Sequence, residues 1–176
     1  MNVLNIEIKA RCADPEGARR KLESLNARYV GRDRQVDTYF KVTEGRLKLR
    51  EGNIENSLIS YSRPDQAGPK ASNVILYHVS ENSAALKAAL TQSIGVWIVV
   101  DKQRDIYFID NVKCHVDEVA GLGSFVELEA IDQRGDKDIA ALQKQCEDLM
   151  AALGIDLADL VAVSYSDLLE EAENNG

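Results

Sequence analysis

Three short stretches of the chain carry charge at every second position. Glu7, Lys9 and Arg11 alternate with Ile6, Ile8 and Ala10; Lys48 and Arg50 follow Arg46 around Leu47 and Leu49; Glu127 and Glu129 alternate with Val126, Leu128 and Ala130. Arg63, Lys102, Arg104 and Asp117 extend the set. Clustered Lys and Arg form a cradle for a polyanion, and phosphate suits them best. Carboxylates among them would repel that polyanion unless a hard cation lies between. Mg²⁺ is the usual bridge, binding a few carboxylates together with phosphate oxygens. The mixture points to a metal–triphosphate site. A structural salt-bridge lattice would also mix signs, and spacing alone does not separate the two.

Period two means β-strand, with one face apolar and the other charged. In chain order the pattern predicts strands from Leu4 to Arg11, Gln35 to Lys41, Arg46 to Arg50 and Leu58 to Arg63. A β-rich run from Asn73 to Val79 follows, then Val96 to Ile109, Val112 to Asp117 and Phe125 to Ala130. Asp14-Pro15 starts a helix carrying Ala18, Leu22 and Leu25. A second helix is capped at Ser83 and stopped by Gly95. The longest is capped at Asp136, buries Ile139, Leu142, Cys146, Leu149 and Leu153, and ends at Gly154. A turn near Asp156 to Leu160 and a helix from Ser166 to Ala172 finish the chain, while 64–70 is a Pro/Gly loop. The charged faces hold too many ions for a dry core. Either that face of the sheet is open to water, or the sheet curls into a hydrated channel. Periodicity leaves both open. His78 and His115 have no partner at catalytic or ligand spacing, which assigns them core or surface roles.

A chain of 176 residues suits one domain, 1–176, with no repeat or linker. A formal net charge of −8 argues against general nucleic-acid binding, which needs a basic surface. No apolar run reaches membrane-spanning length and no segment resembles a signal peptide. Three cysteines, an odd number without metal-ligand spacing, suit a reducing cytoplasm.

In order, Asn5-Ile6-Glu7-Ile8-Lys9, Asp37-Thr38-Tyr39-Phe40, Gly45 to Arg50 and Tyr61 to Asp65 form a recognisable series. It continues through Lys102-Gln103-Arg104 with Tyr107, Asp117 to Gly121-Leu122-Gly123, Phe125 to Glu129, and Ser164 to Leu169. This series resembles the CYTH superfamily, the triphosphate tunnel metalloenzymes, and looks most like its class IV adenylate cyclase branch. The resemblance implies an α+β fold: a closed antiparallel β-barrel of about eight strands around a polar tunnel, with helices outside. It implies that Glu7, Asp117, Glu127 and Glu129 bind Mg²⁺ or Mn²⁺. Lys9, Lys48, Arg50, Arg63, Lys102 and Arg104 would hold the triphosphate, with Lys70 closing over it from the loop. Lys9 and Glu7 would serve the chemistry. In a cyclase the ribose 3′-hydroxyl of ATP attacks the α-phosphorus and pyrophosphate leaves; in a thiamine or inorganic triphosphatase water attacks the terminal phosphorus.

One departure bears on the metal. The family opens with Glu-x-Glu-x-Lys, and Asn5 stands in the first Glu position. A neutral amide oxygen still ligates but attracts a dication less. Weaker metal binding, loss of a second metal, a preference for Mn²⁺, or a binding protein with little turnover all follow as expectations. Activity is expected to rise above neutral pH, as it does in family members with tunnel lysines. The apolar C-terminal helices could serve a homodimer contact as easily as a core.

Overall fold

The computed structural model describes residues 2–62, 67–132 and 138–175. Eight strands form among them: β1 (Asn2–Arg11), β2 (Arg28–Phe40), β3 (Arg46–Glu51), β4 (Ser57–Ser62), β5 (Lys70–His78), β6 (Val96–Ile109), β7 (Val112–Val119) and β8 (Gly123–Ile131). The sheet order is β1-β5-β4-β3-β2-β6-β7-β8, every neighbouring pair is antiparallel, and β8 pairs back onto β1 to close a barrel. Closure removes both sheet edges and turns the charged face inward. Of the two pictures that alternation allowed, the channel is the one formed.

The helices are α1 (Pro15–Ser24), α2 (Ser83–Ile94), α3 (Ile139–Leu153) and α4 (Tyr165–Asn174). Asp14 caps α1 by accepting from the Gly17 amide at 2.8 Å. Ser83 is not a cap. Asn82 takes that position with φ 56°, a left-handed backbone that Asn tolerates, and its side chain makes no capping bond. The cap expected at Asp136 lies outside the described residues; Asp138 caps α3 through the Ala141 amide at 2.7 Å. α4 opens on a reciprocal capping box between Ser164 and Asp167.

The larger apolar cluster lies outside the barrel. Ile6, Ile8, Val116, Val126 and Leu128 point outward and pack beneath Leu22 of α1 and Leu142, Cys146 and Leu153 of α3. A second cluster lies on the inward side, with Val100 and Phe125 on the strand faces that carry Lys102 and Glu127, and it joins Tyr39 and Tyr165 to Leu168 and Leu169 of α4. Ile139 does not join the buried stripe; it is 52% exposed at the first position of α3. β2 starts at Arg28, well before Gln35, because β6 pairs with its polar first half from Phe108 to Gln103. Lys41 lies beyond its end. Among the described residues no helix is long and apolar enough to cross a membrane.

Candidate active site

Inward-facing side chains line a cavity of about 420 Å³, within the roughly 300–1,000 Å³ usual for small-molecule sites. β3 and β8 stand four strands apart round the eight-stranded ring, so they face each other across it. Lys48 and Arg50 on β3, flanked by Lys102 and Arg104 on β6, give a cationic wall. Glu127 and Glu129 on β8, with Glu7 on β1, give an acidic one. Period-two alternation delivers each set to the interior, and the β1–β8 register places Glu7 opposite Glu129 and Lys9 opposite Glu127.

Asp37 organises the cationic wall. Its carboxylate accepts from Arg50 Nε at 2.8 Å and Nη2 at 2.9 Å, from Lys48 Nζ at 2.9 Å and from Lys102 Nζ at 2.8 Å. It is 1% exposed. Burial alone would raise its pKa, but Arg50, Lys102 and Lys48 hold it well below the usual carboxylate range. Lys102 pays for its depth in the opposite sense. Burial, helped by the nearby cations and opposed by Asp37, pushes its ammonium down from 10.5 to about 7.

On the acidic wall, Glu127 meets Lys9 Nζ at 3.1 Å and Arg104 Nη2 at 2.6 Å. Burial favours its neutral form, yet Lys9 and Arg104 hold its pKa well below the usual range. Lys9 also lies 4.0 Å from the centre of the Tyr165 ring and donates to the Val163 carbonyl at 3.4 Å. Asp117 is placed differently from the rest. Both its oxygens are engaged by Arg104, at 2.7 and 2.5 Å, and Tyr165 Oη donates to it at 2.7 Å. It is fully buried behind Arg104 and does not line the cavity. In this arrangement its oxygens are taken up by Arg104 and the Tyr165 hydroxyl.

A family model for the CYTH domain matches residues 4–165. The chain belongs to the CYTH family. It is 27% identical to the adenylate cyclase CyaB of Aeromonas hydrophila over 174 residues, 95% of this chain and 89% of that protein. The fold is shared with a Pyrococcus horikoshii protein at a TM-score of 0.77 and 24% identity, covering 96% of this chain and 99% of the other. It is shared more distantly with a Hippeastrum adenylyl-cyclase candidate described as revealing a dominant triphosphatase activity. There the TM-score is 0.65 and the identity 15%, with 96% of each chain covered.

The CYTH tunnel of this chain contains residues that its sequence did not single out. Glu55, on the loop between β3 and β4, accepts from Arg50 and Gln35 at 3.0 Å each and pairs with Lys113. The loop itself is latched by Asp33, which accepts from the backbone amides of Asn53, Ile54 and Glu55 at 2.5 to 3.0 Å. His115 is the larger correction. It is fully buried on the inward face of β7, opposite Glu127 in register, and its Nδ1 lies 3.6 Å from Glu127 and 3.8 Å from Glu129. Burial lowers its pKa, which favours the neutral imidazole. A period-two count back from Asp117 through His115 to Lys113 would have found it. Lys70 is the first residue of β5, opposite Glu7, instead of part of a loop. Arg63 lies outside the described residues. Asn5 lines the cavity at 8% exposure, and its buried Oδ1 has no hydrogen-bond partner among the described residues.

Proposed function

We propose that this CYTH chain binds a triphosphate between the two walls, together with a divalent cation, and converts ATP to cyclic AMP and pyrophosphate. The observation that carries the reading is the opposition of Lys48 and Arg50 to Glu127 and Glu129 within one closed tunnel. Identity to the Aeromonas cyclase along 95% of the chain supports the choice of reaction.

Glu127, Glu129 and Glu7 would hold Mg²⁺ or Mn²⁺. The fit is chemical: hard carboxylate oxygens lining one cavity, beside an Asn5 Oδ1 that has no hydrogen-bond partner among the described residues. The chemistry that a dication supplies in such a setting is charge neutralisation at phosphate oxygens and acidification of the attacking hydroxyl. Lys48, Arg50 and Lys102, already convergent on Asp37, offer their remaining donors to phosphate oxygens. Asp37 keeps them pointed while no polyanion is bound. Lys9, held between Glu127 and the Tyr165 ring, would stabilise charge that develops on the reacting phosphate, and Arg104 reaches the other oxygen of the same carboxylate. Asp117 positions Arg104.

A triphosphatase is the second reading, favoured by the triphosphatase activity described for the Hippeastrum protein of the same fold. The same walls would hold a triphosphate in another register, with water attacking the terminal phosphorus. Incubation with ATP, thiamine triphosphate and tripolyphosphate, each with Mg²⁺ or Mn²⁺, separates the two by product. Cyclic AMP with pyrophosphate is expected from ATP. Orthophosphate without cyclic AMP would replace the first reading by the second, and neither product would overturn both.

A further inference from the structure

His115 is one of two histidines in the chain and is buried to 0% exposure. Neither ring nitrogen has a hydrogen-bond partner among the described residues. A buried imidazole left unsatisfied is costly, so one left unsatisfied directly behind two cavity-lining carboxylates points to a partner. Its Nδ1 is 3.6 Å from a Glu127 oxygen and 3.8 Å from a Glu129 oxygen, beyond hydrogen-bond length. Donor atoms that share a small dication at about 2.1 Å, with angles of about 110–120°, stand roughly 3.4–3.6 Å apart. The three ligand atoms all lie within 4.8 Å of one another. The two nitrogen–oxygen distances, 3.6 and 3.8 Å, stand close to that shared-ion spacing.

We infer that His115 Nδ1 completes the Glu127–Glu129 pair as a mixed nitrogen–oxygen site selective for first-row transition dications, Zn²⁺ or Mn²⁺, over Mg²⁺. This rests on the reading that the β8 carboxylates hold the divalent cation. Imidazole suits Zn²⁺ and its first-row neighbours, whereas Mg²⁺ dehydrates reluctantly and prefers oxygen. Lys9 and Arg104 serve as the outer partners that fix the Glu127 carboxylate, the role such hydrogen bonds take around metal ligands. With Nδ1 facing the ion, the ring proton sits on Nε2. The loss of charge at Asn5 acts in the same direction, since it weakens a purely oxygen-based site.

The test uses the whole chain and needs no turnover. Protein labelled with ¹⁵N at histidine is titrated with Zn²⁺ and read by NMR, with His78→Gln assigning the His115 signals. A large shift of one His115 ring nitrogen is expected. In parallel, calorimetry compares Zn²⁺ and Mg²⁺ on wild type and on His115→Gln, a near-isosteric variant whose folding is checked by circular dichroism. Zn²⁺ affinity is expected to fall at least about tenfold while Mg²⁺ affinity moves less than about threefold. Unmoved ring signals at saturating Zn²⁺, or an equal fall for both ions, would overturn the inference. Glu129→Gln distinguishes the failures. If it abolishes Mg²⁺ binding while His115→Gln has no effect, the carboxylate site stands and only the imidazole assignment falls. If neither ion binds wild type, both fall.

Discussion

Lys102 shows how a single buried residue ties the tunnel to pH. Its ammonium is 2.8 Å from Asp37, and burial brings its pKa to about 7. In the unfolded chain that proton is held to about 10.4, so between these values folding releases it, and the Lys102 contribution to stability improves as pH rises. Polyanion binding has the opposite sign: phosphate oxygens beside Nζ favour the charged form, so binding above pH 7 takes the proton back. Calorimetry at pH 8, in buffers of different ionisation enthalpy, is expected to show about one more proton taken up by wild type than by Lys102→Met when tripolyphosphate binds. Asn5→Glu restores an anionic donor and is expected to tighten Mg²⁺ about tenfold and raise turnover; unchanged metal dependence would remove Asn5 from the metal site. Individual inward residues such as Lys9, Lys48 and Glu127 were legible because each sits in unbroken alternation. His115 sits in the same kind of alternation, two residues before Asp117, but its carboxylate neighbours come from the adjacent strand twelve or more positions along the chain, so its surroundings were not legible.

Elements carry the site through two devices. The first is the loop latch, in which one buried carboxylate, Asp33, satisfies three successive amides and thereby presents Glu55 to Arg50 and Lys113. Asp33→Ala is expected to lower stability by about 2–3 kcal/mol in urea melts, because it orphans those amides. The second is the outer core under α1 and α3, where Leu142 is fully buried. Leu142→Ala is expected to cost about 3 kcal/mol of stability and leave tripolyphosphate affinity unchanged, since the packing it disturbs faces away from the tunnel. Most strands and helices were legible from period and punctuation. Glu55 escaped because a loop has no period to reveal a direction. The α2 start moved because Asn82, in a left-handed backbone and without a side-chain cap, precedes Ser83, whereas α3 is capped by Asp138, which carries the same side chain as Asp136 two residues earlier.

For the whole molecule, the formal charge of −8 and the cationic wall of the tunnel coexist because the barrel separates inside from outside. Closure itself was not legible from alternation. An open antiparallel sheet with one wet face has the same period, and it took the ordered series of motifs to suggest a barrel. What closure adds is opposition, placing the cations of β3 across from the carboxylates of β8. The claim that a triphosphate binds between them is tested most directly by calorimetric titration of tripolyphosphate with Mg²⁺ into three proteins. These are wild type, Lys48→Met, which leaves Asp37 paired to Arg50 and Lys102, and Lys144→Ala on the exposed face of α3. One site is expected in wild type, with an affinity at least about tenfold weaker in Lys48→Met and no change in Lys144→Ala. Equal affinity in all three would place the polyanion outside the tunnel and contradict that claim.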